Sequence, residues 1–291
     1  MHPPLFTGVC TALVTPFDHD QVDFKALRAL IERQLAVGVP ALLACGTTGE
    51  SSTLDEQEWQ QVLACTVEAA QGRALVIAGT GTNNLRHTVQ RAQAARQLGA
   101  DAQLVVTPYY NKTTQVGLID YYTRVAEAAD LPMILYNVPA RTGMRLLPQT
   151  AARLAEHPRI AGIKEAGDTL NTIATLRQLT DLPVYCGSDA WMAPAVQLGA
   201  VGVISVLSNL LPEAVMQLFE AAAKGCAGTA NARQRALLPL IEALFSETSP
   251  APIKAALAIS GCCRDEVRSP LVRVQPETQA RLRALLTEVQ P

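Results

Sequence analysis

Eight short runs rich in Val, Ile and Leu, separated by stretches of helical period, constrain this chain more than any other feature. They are Gly8–Val14, Val39–Ala44, Leu75–Ala78, Ala102–Thr107, Met133–Asn137, Ile160–Lys164, Val184–Gly187 and Val203–Val206. Each has the length and composition of a strand covered on both faces, which is how parallel sheets are buried. Between them, apolar residues recur at helical spacing in Phe24–Ala36, Glu56–Ala70, Leu85–Leu98 and Gln115–Ala129. Eight such alternations in 291 residues predict an α/β fold, a closed (β/α)8 TIM barrel with right-handed connections. After Val206 the pattern is helical only. Pro212–Ala223 completes the eighth unit, and Ala232–Phe245, Pro252–Ile259 and Glu277–Val289 form a C-terminal helical appendage. The predicted division is a barrel over residues 1–225, carrying the site, and the appendage over 226–291.

The joints agree with this reading. Gly38, Gly99 and Gly199 each fall at the end of a helical stretch just before a strand, where a left-handed helix terminus suits glycine. Asp55 is placed to cap the helix from Glu56, with Glu58 completing a capping box. An open doubly wound sheet is disfavoured by the strand count. Gly79-Thr80-Gly81-Thr82-Asn83 lacks the spacing of a dinucleotide or phosphate loop and reads as a tight strand-to-helix turn.

Composition excludes several partners. A formal net charge of −2 with scattered Lys and Arg provides no field for nucleic acid or an anionic membrane. No apolar run reaches the length of a membrane span, and the start, Met1-His2-Pro3-Pro4-Leu5-Phe6, does not resemble a signal peptide. Seven scattered cysteines, an odd number without a C-x-x-C pair, fit reduced thiols and a cytoplasmic location. The four histidines, His2, His19, His87 and His157, have no metal-ligand spacing.

Reacting groups of a TIM barrel gather at the C-terminal ends of its strands. That rule brings together Gly46-Thr47-Thr48-Gly49-Glu50, Tyr109-Tyr110, Tyr136, Arg141 and Lys164, residues far apart in the chain. Lys164 ends a buried strand, and burial disfavours the charged form of a lysine. At an ordinary lysine pKa only roughly one amine in a few thousand is neutral at pH 7, and the neutral amine is what attacks a carbonyl. The competing roles for Lys164 are a structural ion pair with a carboxylate such as Glu165, or a side chain that snorkels to the rim. Hydroxyls of Tyr136, Tyr110 and Thr47 could relay protons, although tyrosines at strand ends more often serve packing. Arg141 offers a planar fork for a carboxylate, or for a structural partner. Backbone N–H groups around Thr47-Thr48 could cradle a second carboxylate, or simply form a capped turn.

Gly46-Thr47-Thr48-Gly49-Glu50-Ser51, Tyr136-Asn137-Val138-Pro139-Ala140-Arg141-Thr142-Gly143 and Gly162-Ile163-Lys164-Glu165-Ala166 resemble the pyruvate-dependent class I aldolases, and among them the dihydrodipicolinate synthase family. Pro108-Tyr109-Tyr110-Asn111-Lys112, Gly187-Ser188-Asp189, Gly202-Val203-Ile204-Ser205 and Pro252-Ile253-Lys254 extend the likeness from about Thr7 into the C-terminal helices. The resemblance implies a Schiff base between Lys164 and pyruvate, and a proton relay of Thr47, Tyr136 and a neighbouring subunit's Tyr110. It implies that Thr48 holds the pyruvate carboxylate and Arg141 the carboxylate of aspartate semialdehyde, with Gly187 and Ile204 lining the pyruvate site. The implied reaction condenses the two substrates toward lysine and diaminopimelate, without metal or cofactor, in a homotetramer of two tight dimers. The related sialic acid lyases resemble one another in a Gly-Ser-Thr-Gly-Glu loop and lack the arginine of Arg141-Thr142-Gly143, so Thr47 and Arg141 favour the synthase. Other oxo-acid aldolases, and a silent barrel acting as a binding subunit, are the alternatives. Lysine-inhibited members share an interface pocket rich in His and Glu. The matching positions here carry Glu56, Trp59 and His87, with Ser51, Asn83 and Tyr109 kept, which implies weak or absent inhibition by lysine.

Overall fold

The eight apolar runs close on one another in the computed structural model of the chain, which describes residues 2–289. The barrel strands are β1 (Gly8–Ala12), β2 (Ala41–Ala44), β3 (Leu75–Gly79), β4 (Ala102–Val106), β5 (Met133–Asn137), β6 (Ile160–Glu165), β7 (Val184–Cys186) and β8 (Gly202–Ser205). All pair in parallel, and β1 closes the ring by pairing with β2 on one side and β8 on the other. Strand ends differ from the sequence pattern by up to two residues, because apolar residues such as Val14, Val39 and Val206 continue into connecting turns without keeping a ladder partner. The expected helix from Ala232 begins earlier and spans Ala227–Leu244. Gly228 and the small polar residues near it concealed that first turn.

Alternation along each strand sorts side chains into two cores. One set faces the surrounding helices; the other fills the barrel, with Cys10, Leu43, Ile77, Ile134, Tyr185 and Ile204 among its members. The end where the strands begin is plugged by aromatic rings. Phe6 and Tyr185 stack with centroids 4.4 Å apart, and the Tyr185 hydroxyl donates to the Phe6 carbonyl at 3.3 Å. Space for this plug comes from two glycines. A Cβ at Gly162 would lie 2.8 Å from the Tyr185 ring, and one at Gly202 would lie 3.0 Å from it. With that end filled, only the C-terminal end of the barrel can open.

The predicted joints are present. Gly38, Gly99 and Gly199 have φ of 81°, 87° and 98°, the left-handed region expected at helix ends. Asp55 and Glu58 form the reciprocal capping box. A short hairpin, Phe17–Asp18 with Gln21–Val22, was not apparent in the pattern. His19 and Asp20 both take positive φ, as a two-residue hairpin turn requires. Helix Ala227–Leu244 packs against helices Met192–Gln197 and Pro212–Ala223, and its Gln234 bonds both the Ala193 amide and the Asp189 carbonyl. No helix among the described residues is long and apolar enough to cross a membrane.

Adding a methyl group beneath the Tyr185 ring tests this packing. Gly162→Ala is expected to lower the unfolding free energy by about 1–3 kcal/mol in urea titrations, through overpacking. A loss below about 0.5 kcal/mol, the range of an ordinary surface change, would show that the ring has room to move.

Candidate active site

Lys164 lies at the C-terminal end of β6, in register with Tyr136 on β5 and Tyr185 on β7. It is buried, with 6% of its surface exposed. Its Nζ sits 4.4 Å from the centroid of the Tyr136 ring. Among the described residues no carboxylate pairs with it. Glu165, the partner suggested by adjacency in the chain, points to the other face of the strand. There its carboxylate accepts from Asn137 Nδ2 at 2.8 Å and from the Gly167 amide at 2.7 Å. Burial pushes the Glu165 carboxyl above the usual carboxylate range. Gly187 makes room for the lysine stem, since a Cβ there would lie 2.9 Å from Lys164 Cε and 2.7 Å from Ala166 Cβ. Ile204 is buried in the same interior cluster as Tyr136.

A cavity of about 240 Å³ opens at this end of the barrel. Thr47, Tyr136 and Arg141 line it together with Leu104, Tyr109 and Val138. Lys164 does not line it directly; its amine rests against the Tyr136 ring, which does. Arg141 stands on the short helix Pro139–Thr142, which starts on a proline and stops at Gly143 with φ 63°. Its guanidinium donates to the Ser249 carbonyl at 3.1 Å and the side chain is otherwise exposed. Tyr110 is not brought to this cavity. It is 92% exposed and held at φ 68°, an uncommon backbone for an aromatic residue.

The turn after β2 is tightly constrained. Cys45 and Glu50 both have positive φ, at 53° and 52°. Gly49 and Glu50 donate their amides to the carbonyls of Gly46 and Thr47 at 3.1 Å. Thr15 Oγ1 donates to the Gly49 carbonyl at 2.7 Å. The amides of Thr47 and Thr48 have no partner among the described residues, and the Thr48 side chain is buried while Thr47 is exposed. Glu50 turns away from the cavity. Its Oε1 lies 2.5 Å from Lys254 Nζ, and its Oε2 accepts from the Arg268 amide at 3.0 Å.

The chain that builds this barrel has close counterparts among known proteins. The dihydrodipicolinate synthetase family model matches residues 5–289. The chain belongs to this family. It is 46% identical over 283 residues to a protein of Exiguobacterium named 4-hydroxy-tetrahydrodipicolinate synthase, covering 96% of each chain. The dihydrodipicolinate synthase structure from Thermotoga maritima superposes with a TM-score of 0.96 at 41% identity over 98% of both chains. That from Acinetobacter baumannii, described as chloride-inhibited and complexed with pyruvate, gives a TM-score of 0.95 at 40% identity, over 97% of this chain and 98% of that one.

The barrel also holds a residue that sequence reasoning passed over. Arg91 is 5% exposed, lines the cavity, and lies 5.3 Å over the Trp59 ring. Its guanidinium binds Glu56 at 2.6 Å and Ser51 Oγ at 3.3 Å, while His87 Nε2 reaches the same Glu56 oxygen at 2.7 Å. The i, i+4 spacing of His87 and Arg91 on one helix was the available signal. Among the described residues no group of three His, Cys, Asp or Glu side chains could hold a metal.

Arg268 secures the start of the helix that follows the β2 turn by bonding both Glu58 oxygens at 2.6 Å. The Arg268 guanidinium holds the Glu58 carboxyl below the usual carboxylate range. A depressed carboxyl contributes stability above its unfolded pKa and loses it as pH falls through the folded value. Glu58→Gln should therefore lower the melting temperature at pH 7, with the gap to wild type narrowing as pH falls from about 5 toward 3, below the ordinary glutamate range. A gap independent of pH in thermal scans would refute the charge contribution.

Proposed function

We propose that this chain condenses pyruvate with aspartate semialdehyde through a Schiff base on Lys164, giving 4-hydroxy-tetrahydrodipicolinate. The observation that carries this reading is a buried amine with no carboxylate within ion-pair distance, beside Tyr136 and a cavity of substrate size. A lysine kept for stability is expected to be paired when buried, as Lys254 is.

In the proposed sequence Lys164 Nζ attacks C2 of pyruvate, and the carbinolamine loses water to form the imine. Loss of a C3 proton gives the enamine, whose C3 then bonds the aldehyde carbon of the semialdehyde. The amine of the joined product attacks the imine carbon, closes the ring and expels the lysine amine. Each step moves a proton, and the hydroxyls of Thr47 and Tyr136 at the cavity are suited to relay them. The free amides of Thr47 and Thr48, with the Thr48 hydroxyl, suit the pyruvate carboxylate. Arg141, which lines the cavity and keeps most donors free, suits the semialdehyde carboxylate. Gly187 and Ile204 shape the pyruvate end. Tyr110 joins the relay from a neighbouring subunit in a homotetramer, which fits its exposure and its backbone held in the left-handed region.

Borohydride reduction in the presence of pyruvate tests the assignment. One reduced adduct per chain is expected on Lys164, found by peptide mass spectrometry. Lys164→Ala should abolish it; Arg141→Ala should retain the adduct while losing on the order of 100-fold or more in condensation with the semialdehyde. An adduct on another residue, or one that survives Lys164→Ala, would refute the reading.

Glu56 is already saturated by Arg91 and His87, and the resemblance to lysine-inhibited members implies a glutamate, to pair with the lysine amine, at the position His87 occupies. We therefore propose that lysine inhibits weakly or not at all. Initial rates with lysine at about a millimolar should stay within about twofold of the control, which places any inhibition constant at about a millimolar or weaker; saturable inhibition below that concentration would overturn this.

A further inference from the structure

The turn that presents Thr47 and Thr48 is held from outside the barrel by a buried ion pair. Glu50 and Lys254 have side chains 1% and 0% exposed, and their charged atoms meet at 2.5 Å. Lys254 belongs to helix Ala251–Ile259, more than 200 residues further along the chain. The second Glu50 oxygen is taken by the Arg268 amide. The centroid of the Phe17 ring is near both cations, 4.1 Å from Lys254 Nζ and 4.4 Å from the Arg268 guanidinium carbon. Burial pulls the Lys254 amine below the ordinary lysine range, and the Glu50 charge opposes that pull.

Such a pair adds little net stability over an apolar replacement, so its retention calls for another reason. The backbone supplies one. Glu50 is in the left-handed region at φ 52°, two residues from Thr48, and a non-glycine residue stays there only where its surroundings enforce it. The same C-terminal segment also meets Arg141, whose guanidinium donates to the Ser249 carbonyl.

We infer that Glu50 and Lys254 are positioning residues, locking the Thr47-Thr48 turn in the geometry that receives the pyruvate carboxylate and so making the C-terminal helix part of the active site. This rests on the pyruvate chemistry proposed above. Neither residue lines the cavity.

The experiment measures how the borohydride-trapped adduct depends on pyruvate concentration, which separates half-saturation from the final yield. Glu50→Asp keeps the charge and shortens the arm by one methylene; Glu50→Gln with Lys254→Met removes both charges at similar volume. Both are expected to raise half-saturating pyruvate by about tenfold or more, consistent with a misplaced binding turn, while reaching one adduct per chain at saturation. Val125→Ala, in a buried helix face remote from the turn, provides a destabilised control whose half-saturation should not move. A folded Glu50→Asp variant with half-saturation within twofold of wild type overturns the inference, as does an equal rise in the control. Should the double variant fail to fold, Glu50→Asp decides alone. Failure of the wild-type chain to trap pyruvate would instead defeat the proposed function.

Discussion

Desolvating an ammonium group costs several kcal/mol unless a counter-charge meets it. This chain buries two lysines and treats them differently. Lys254 is enclosed, ion-paired with Glu50 and flanked by an aromatic ring. Lys164 is nearly as enclosed, yet its neighbours are the Tyr136 ring, Gly187 and the apolar barrel interior. The nearest carboxylate in sequence, Glu165, is diverted to Asn137 and Gly167 because successive side chains on a strand face opposite ways. The pleat of β6 thus keeps the Glu165 carboxylate from pairing with Lys164, and the remainder of the site is arranged around that amine.

Barrel closure determines which end that amine can address. Where the strands begin, Phe6 and Tyr185 fill the axis, with Gly162 and Gly202 shaved to admit the ring. The interior one layer further along changes from aromatic packing to Lys164, Tyr136 and Ile204. A glycine recurs at Gly187, now to clear the lysine stem rather than a ring. The same device, a missing Cβ on an inward position, closes one end of the barrel and opens the other.

Much of this was legible in the chain. The strands and most helices followed from periodicity, because a parallel barrel imposes the same demand eight times. The capping box at Asp55 and the left-handed glycines at 38, 99 and 199 were local signals with local causes. Lys164 could be singled out because a lysine ending an apolar strand violates the pattern around it. What could not be read was pairing across distance. Nothing near Glu50 in sequence points to Lys254 or Arg268, and nothing near Arg141 points to Ser249. The burial of Arg91 could not be read either, since it depends on Trp59 and Glu56 arriving from another element. The hairpin at 17–22 was too short to show alternation, and its turn used His19-Asp20 in place of glycine.

The C-terminal helices acquire a specific meaning from those long-range pairs. A (β/α)8 ring positions its strand ends well but leaves the loops beyond them to be fixed by something else. Here the β2 turn carries backbone strain at Cys45 and Glu50, and strain persists only where other contacts over-determine it. Thr15, in the connection after β1, anchors the turn through the Gly49 carbonyl, and Lys254 and Arg268 anchor it from the C-terminal segment. Arg268 continues the clamp to Asp20, Thr53 and Glu58, joining the hairpin, the turn and the following helix in one network. Stability alone does not require so dense a convergence of charge on one short loop, since apolar packing would hold the helices at lower desolvation cost. Orientation does require it, because an ion pair and its directed hydrogen bonds specify an angle that apolar contact leaves free.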